Sequence, residues 1–352
     1  MRMSKVKKTP IAVLASHDSI EKNNDLARVF QELYNADNGK KLKEFHFLFT
    51  GGTFSRLMLG VDTNAPPRTE LKPIEKDVKE FIIRECGVTV LPDRKDGGVT
   101  ILSNMITQCQ CSIIWPFLSP ITVHWLSPEN LALMRLCDQW NVKRLMNPES
   151  VRAWFRDEAE RDTKRHPQEI PMTIRLGTPQ ADGRWPMGEK RHDEEFYRVT
   201  LPQRTRRPEE FWTQFERQTI ALIAHDEMKG RMVDFAIQYE NELCKFSRIL
   251  ATGATGQEVM NACRRLREGN RVRKCLSGPK GGDIEIATEI LFNRCHIVVF
   301  FIDPLHPHPH IDDIRVVFSA CMAEIKNNDV RMLTNEVQAR EWIEEAVRRR
   351  IG

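Results

Sequence analysis

The sequence has no strong excess of either charge: 53 Lys and Arg stand against 49 Asp and Glu, a formal net charge of +4. With no basic stripe interleaved with aromatics, that margin leaves no footprint for nucleic acid. No apolar run approaches the ~20 residues of a membrane helix. Ile11–Ala15, the apolar run behind the basic start Met1–Pro10, is far too short for the core of a secretory signal. The nine cysteines include no CxxC pair. That argues against a zinc site or a disulfide frame and for thiols in a reducing cytosol. The expectation is a cytoplasmic protein with neither a membrane nor a nucleic-acid partner.

What is present is enough chain for two domains: 352 residues, 41% hydrophobic and 29% charged. The last third alternates short continuous apolar runs with amphipathic stretches. Strands are expected at Thr219–Ala224, Phe246–Ala251, Val272–Leu276, His296–Ile302 and Val330–Leu333. Helices are expected at Lys229–Tyr239, near Gly256–Glu268, from the Gly-rich turn at 278–282 to about Asn293, near Ile314–Lys326 and at Glu336–Arg349. Strands alternating with helices predict a doubly wound α/β fold, a parallel sheet covered on both faces. Apolar runs without alternation suit strands buried on both sides.

The first half repeats the plan. Ile11–Ala15 followed by Ser16-His17-Asp18 parallels Ile220–Ala224 followed by His225-Asp226. Phe47–Phe49 with Thr50-Gly51-Gly52-Thr53 parallels Ile249–Ala251 with Thr252-Gly253-Ala254-Thr255. Ser112–Phe117 with Ser119-Pro120 parallels Ile297–Ile302 with Asp303-Pro304, and Asn147 and Trp154 parallel Asn335 and Trp342. Four landmarks in the same order predict a tandem duplication: one domain over 1–155, a second over 216–352. The charged, Pro-rich stretch 156–215 reads as a linker with local structure, its strand-like pieces Met172–Leu176 and Phe196–Leu201 suggesting a hairpin laid against one domain. An insertion, Val61–Lys79, interrupts the first half.

In a doubly wound sheet, ligands bind outside the carboxyl ends of the strands. In the second half the loops there carry His225, Asp226 and Lys229; Thr252, Gly253, Ala254, Thr255 and Gly256; Ser277, Gly278, Lys280 and Asp283; Asp303, His306, His308, His310 and Asp313; then Thr334 and Asn335. Two of the loops are Gly-rich and run into helices, so backbone N–H groups can approach an anion closely. With the hydroxyls of Thr252, Thr255 and Ser277 and the charge of Lys229, they make a phosphate cradle. Asp283, Asp303, Asp313 and His310 stand beside it, a set suited to proton transfer next to a carbonyl. Capping of a helix is the plainer role for a lone aspartate such as Asp283, but it does not account for four such groups on neighbouring loops. The run His306-Pro-His-Pro-His310 turns successive rings to different sides, and no second ligand pair has metal spacing, so no metal is expected.

Four segments carry a resemblance: ALIAHDEMK (Ala221–Lys229), ATGATG (Ala251–Gly256), LSGPKGGDIE (Leu276–Glu285) and FFIDPLHPHPHIDDI (Phe300–Ile314). Together, in this order, they resemble the signature segments of the methylglyoxal synthases, over essentially all of 216–352. The resemblance implies a cofactor-free lyase that converts dihydroxyacetone phosphate, a phosphorylated triose, to methylglyoxal and phosphate. It implies Asp283 as the base, His310 as the group at the carbonyl and enediol oxygens, and Asp303 and Asp313 as holders of the hydrogen-bond network. His225, Asp226, Lys229, Thr252, Gly253, Ala254, Thr255, Ser277 and Gly278 fall at substrate and phosphate positions. It also implies a homo-oligomer, as a trimeric pseudo-hexamer or a dimer of tandem chains. Ala254 departs from the family's usual Thr and removes one hydroxyl; Lys280 and Ile284 depart from an apolar residue and a Gln. The alternative is a ligand-sensing module that uses the same cradle without turnover, which the retention of Asp283, Asp303 and His310 disfavours.

The first half keeps His17, Asp18, Thr50 and Thr53, but Val99 falls opposite Asp283, Ser119 opposite Asp303 and Leu126 opposite His310, with His124 nearby. A valine cannot abstract a proton, so this half is expected to be catalytically inert, either structural or binding a regulatory phosphate or nucleotide.

Overall fold

The structure, a computed structural model, describes residues 8–16, 25–61, 73–118, 127–160, 162, 196–202, 207–303, 305–306, 310–322 and 330–351. His17, Asp18, Ser119, His124, Leu126, Met172–Leu176, His308 and most of the 61–79 insertion therefore lie outside the described residues. The chain divides into two compact units, Met1–Thr200 and Leu201–Gly352.

The first unit is built on six strands: β1 (Thr9–Ala15), β2 (Phe45–Thr50), β3 (Val88–Leu91), β4 (Ile113–Phe117), β5 (Lys143–Arg144) and β6 (Tyr197–Arg198). The second has five: β7 (Thr219–Ala224), β8 (Arg248–Ala251), β9 (Val272–Lys274), β10 (Ile297–Phe301) and β11 (Arg331–Leu333). The sheet orders are β5-β4-β1-β2-β3-β6 and β11-β10-β7-β8-β9, and every pairing is parallel. Both units are thus α/β, with helices flanking an all-parallel sheet. Apart from β6 the two orders are the same. The winding reverses between β1 and β4 in one and between β7 and β10 in the other, the place where loops diverge and leave a crevice.

The long apolar runs form the central strands because only a strand covered on both faces can bury every side chain. Thr219–Ala224 and Ile297–Phe301 are buried along their whole length. Phe30, Phe47, Phe49 and Trp115 interlock in the first core at centroid distances of 5.1–6.2 Å, and Phe215 stacks on Phe246 at 4.6 Å in the second. Each such buried ring contributes about 1.5–3 kcal/mol. Asn147 and Asn335 each cap a helix by accepting the backbone N–H three residues on, from Ser150 at 2.8 Å and Gln338 at 3.0 Å. That accounts for their recurrence seven residues before Trp154 and Trp342.

Three expectations change. The helix foreseen near 256–268 is two, Gly253–Ala262 and Arg264–Glu268. Cys263 breaks it in an extended conformation, and the Arg265 N–H finds the Glu240 carboxylate at 2.8 Å. The Phe196–Leu201 piece supplies β6, which pairs in parallel with β3 and closes its open edge; the other strand of the expected hairpin, Met172–Leu176, lies outside the described residues. The end of the supposed linker belongs to the second core: Phe211, Trp212 and Phe215 are buried there. Among the described residues no helix is long and apolar enough to cross a membrane.

Candidate active site

At the carboxyl end of the second sheet the backbone ladder runs one residue past the strands: the His225 N–H donates to Phe301 O at 3.1 Å. His225 is buried, edge-on to Phe300 with centroids 5.1 Å apart. Its Nδ1 accepts the backbone N–H of Asp303 at 2.8 Å. The neutral ring therefore carries its proton on Nε2. On the following turn Lys229 pairs with Asp226 at 2.5 Å. That hydrogen bond first, and the lysine charge second, hold the Asp226 carboxyl below the usual carboxylate range.

After β8, Thr252 stands at the start of the helix Gly253–Ala262, but its hydroxyl donates to the Thr255 hydroxyl at 3.2 Å and caps no backbone N–H. Both hydroxyls are buried. The Gly253 N–H donates to Leu276 O at 2.8 Å, and a Cβ there would lie 2.9 Å from the Ser277 nitrogen. Gly253 thus locks one loop onto the next, and its own N–H is engaged within the chain.

Between β9 and the helix Gly282–Leu291, Gly281 sits at φ +104° and a Cβ on Gly282 would lie 1.9 Å from Leu276 O. No residue with a side chain fits position 282 without moving the backbone. This tight entry makes Asp283 the second residue of the helix. Gly281 occupies the cap position, so Asp283 is not the helix cap. Its carboxylate is 1% exposed and lies with Oδ2 3.5 Å from His310 Nε2. Gly278 packs against both: a Cβ there would lie 2.9 Å from His310 Nε2 and 3.1 Å from Asp283 Oδ2.

After β10, Asp303 is buried. One carboxylate oxygen accepts the Leu305 N–H at 2.9 Å and the other meets His306 Nδ1 at 2.5 Å. Asp313 is fully buried, and its backbone N–H donates to His310 O at 3.0 Å, which braces the turn that carries the ring.

These loops enclose one cavity of about 440 Å³, within the size range of small-molecule sites. His225, Asp226, Lys229, Thr252, Ala254, Thr255, Ser277, Gly278, Asp283, Asp303 and His310 line it. Gly253 and Asp313 are not among the described lining residues. Pro279, on the loop read from the sequence, also lines it, as do Glu227, Ile223 and Phe300, which the sequence reading did not single out. Glu227 follows Asp226 directly, and its adjacency to the His-Asp pair was the available signal. Among the described residues no group of three or more His, Cys, Asp or Glu is arranged to hold a metal ion. Chemically the cavity offers a buried carboxylate beside an imidazole, and hydroxyls, a helix start and a lysine fit for an anion.

In the first unit the same places hold other groups. Ala15 pairs with Phe117 as Ala224 pairs with Phe301, and the Ser16 N–H donates to Phe117 O at 3.0 Å. Ser16 therefore stands where His225 stands, the register in which Ile11–Ala15 parallels Ile220–Ala224. Thr50 and Thr53 keep the hydroxyl pair at 2.9 Å. Gly97 at φ +89° and Gly98, whose Cβ would lie 2.0 Å from Pro92 O, repeat the tight helix entry. Val99, the second residue of that helix, is buried, and Asp93 takes the place of Ser277, its carboxylate oxygen 2.6 Å from where a Gly51 Cβ would be.

Comparison with known proteins gives a consistent picture. No family model matches the chain. A methylglyoxal synthase of Burkholderia vietnamiensis is 40% identical over 129 residues, 37% of this chain and 92% of that protein. One of Brucella anthropi is 43% identical over 102 residues, 29% of this chain and 78% of that protein. One of Thermoanaerobacterium thermosaccharolyticum is 46% identical over 102 residues, 29% of this chain and 72% of that protein. The crystal structure of methylglyoxal synthase from Elizabethkingia anophelis is 30% identical, covers 36% of this chain and 78% of its own, and has a TM-score of 0.32. About a third of this chain thus accounts for nearly the whole length of a curated relative, and by that relationship the chain belongs to the methylglyoxal synthase family.

Proposed function

We propose that the second unit is a methylglyoxal synthase acting on dihydroxyacetone phosphate. The observation that carries the reading is the 3.5 Å approach of Asp283 Oδ2 to His310 Nε2 in a cavity also lined by Thr252, Thr255, Ser277 and Lys229. The cradle holds the phosphate through hydroxyls, the helix-start N–H groups that follow the engaged Gly253 and the lysine charge. Asp283 removes a proton from the hydroxyl-bearing carbon beside the carbonyl. The C–H electron pair forms the carbon–carbon double bond of the enediolate, and the carbonyl electrons move to oxygen. His310 supplies and recovers a proton at the enediol oxygens. The enediolate then collapses, the carbon–oxygen bond to phosphate breaks with its electron pair leaving on phosphate, and the released enol tautomerises to methylglyoxal. Such positioned acid–base groups contribute about 10²–10⁴-fold in rate, and fixed donors around the developing charge add to that.

The first unit, in this reading, is a degenerate second copy from a tandem duplication. The shared strand order, the Gly97-Gly98 and Gly281-Gly282 helix entries and the two asparagine caps support it. Its Val99 removes the base. The test is direct: the purified chain incubated with dihydroxyacetone phosphate releases methylglyoxal and phosphate in equal amounts. Tight binding without release would favour the sensing alternative.

A further inference from the structure

The run His306-Pro-His-Pro-His310 contributes His310 to the reaction but leaves His306 without a role. His306 lines the cavity, although its side chain is 65% exposed at the mouth. Its Nδ1 lies 2.5 Å from Asp303 Oδ2. The other Asp303 oxygen holds the Leu305 N–H at 2.9 Å, and the Asp303 backbone N–H holds His225 Nδ1 at 2.8 Å. Asp303 therefore joins the two rings, its buried carboxylate meeting the exposed His306 imidazole and its backbone N–H meeting the buried His225 imidazole.

We propose that His306 is a positioning residue: as an imidazolium it clamps the Asp303 carboxylate and so fixes Asp303, whose backbone N–H holds His225 with its proton on Nε2. The role rests on the reading of this cavity as the substrate site. A hydrogen bond between an imidazolium and a carboxylate is shorter and about twice as strong as a neutral one. His306 deprotonation therefore loosens Asp303 without emptying the cavity.

The charged surroundings set the direction. Asp303 on its own turn raises the His306 pKa above the ordinary 6.5, first by the hydrogen bond and then by charge, and Glu227 on the turn after β7 acts the same way. The Asp226–Lys229 ion pair and the Asp283–His310 pair complete the titratable lining around it, with His225 behind Asp303. The cation is present below the raised pKa and lost as pH rises through it. This limb is opposite to that of Asp283, which must be ionised to act.

The experiment compares pH profiles of kcat/KM for the wild-type chain, His306→Ala and His306→Lys. The wild type should lose about fivefold on the alkaline side, the worth of a charge-assisted bond over a neutral one. His306→Ala should already be about fivefold low at neutral pH and lack that limb. His306→Lys should restore the rate and move the limb toward pH ~10. A purely structural turn residue would leave the limb in place in His306→Ala, and that result overturns the proposal. In parallel, the His306 imidazole followed by NMR should titrate above its ordinary value and fall back toward it in Asp303→Asn; an unshifted ring also overturns it. Wild-type protein without turnover would remove the parent reading and this role with it, while the NMR titration would still report on the pair.

Discussion

The two units share strand order, hydroxyl pairs and glycine-forced helix entries, yet differ where proton transfer would occur. Asp283 lies next to His310, whereas buried Val99 fills the corresponding helix position. The scaffold therefore does not dictate the chemistry. It dictates a backbone in which the second residue of one helix faces a crevice at the sheet's switch point, and the identity of that residue decides what can happen there. The first unit differs again at the cradle, where the Asp93 carboxylate stands beside Gly51 and would repel an incoming phosphate.

The comparison can be broken or sharpened at several positions. The largest effect is expected where both units use the same steric device. A methyl at Gly98 or Gly282 would lie 2.0 or 1.9 Å from a backbone carbonyl oxygen. Each Gly→Ala change should cost about 3 kcal/mol or more, readable by chemical denaturation. A smaller loss in one unit would mean that the entries are not equivalent. A comparable loss is expected where the units differ. Glu289 is 1% exposed and pairs with Arg294 at 3.1 Å, while the first unit carries buried Met105 at the corresponding helix position. Arg294→Ala should destabilise the second unit by about 3 kcal/mol, because it strips a partner from a buried charge. In calorimetry the first unit's transition should not move.

Gly278→Ala comes next. The added methyl intrudes between His310 and Asp283 and should lower kcat about tenfold or more with a smaller change in KM, since misplaced reacting groups lose rate steeply. The smallest effects are the caps. Asn147→Ala and Asn335→Ala should each cost about 1 kcal/mol, and similar values would support equivalent helix starts in the two units.

Much of this was legible in the sequence because it is local. Continuous apolar runs give buried parallel strands, and Gly-Gly before Asp283 gives a tight helix start. What escaped was set by pairing across the chain. The break at Cys263 depends on Glu240, 23 residues earlier in the chain, taking the freed N–H of Arg265. The parallel addition of β6 depends on the open edge of β3. His306 had no role in the sequence reading, and its contact with Asp303 shows only in the structure. Gly253 and Asp313 stand outside the described lining of the cavity, and the Gly253 N–H is taken by Leu276 O on the next loop.

The central claim is that one carboxylate, Asp283, takes the substrate proton. The most direct measurement is phosphate release from dihydroxyacetone phosphate by the full chain carrying Asp283→Asn, alongside its affinity for inorganic phosphate. The account predicts a rate lower by about 10²–10⁴-fold with phosphate affinity retained. A variant that turns over at the wild-type rate would contradict it.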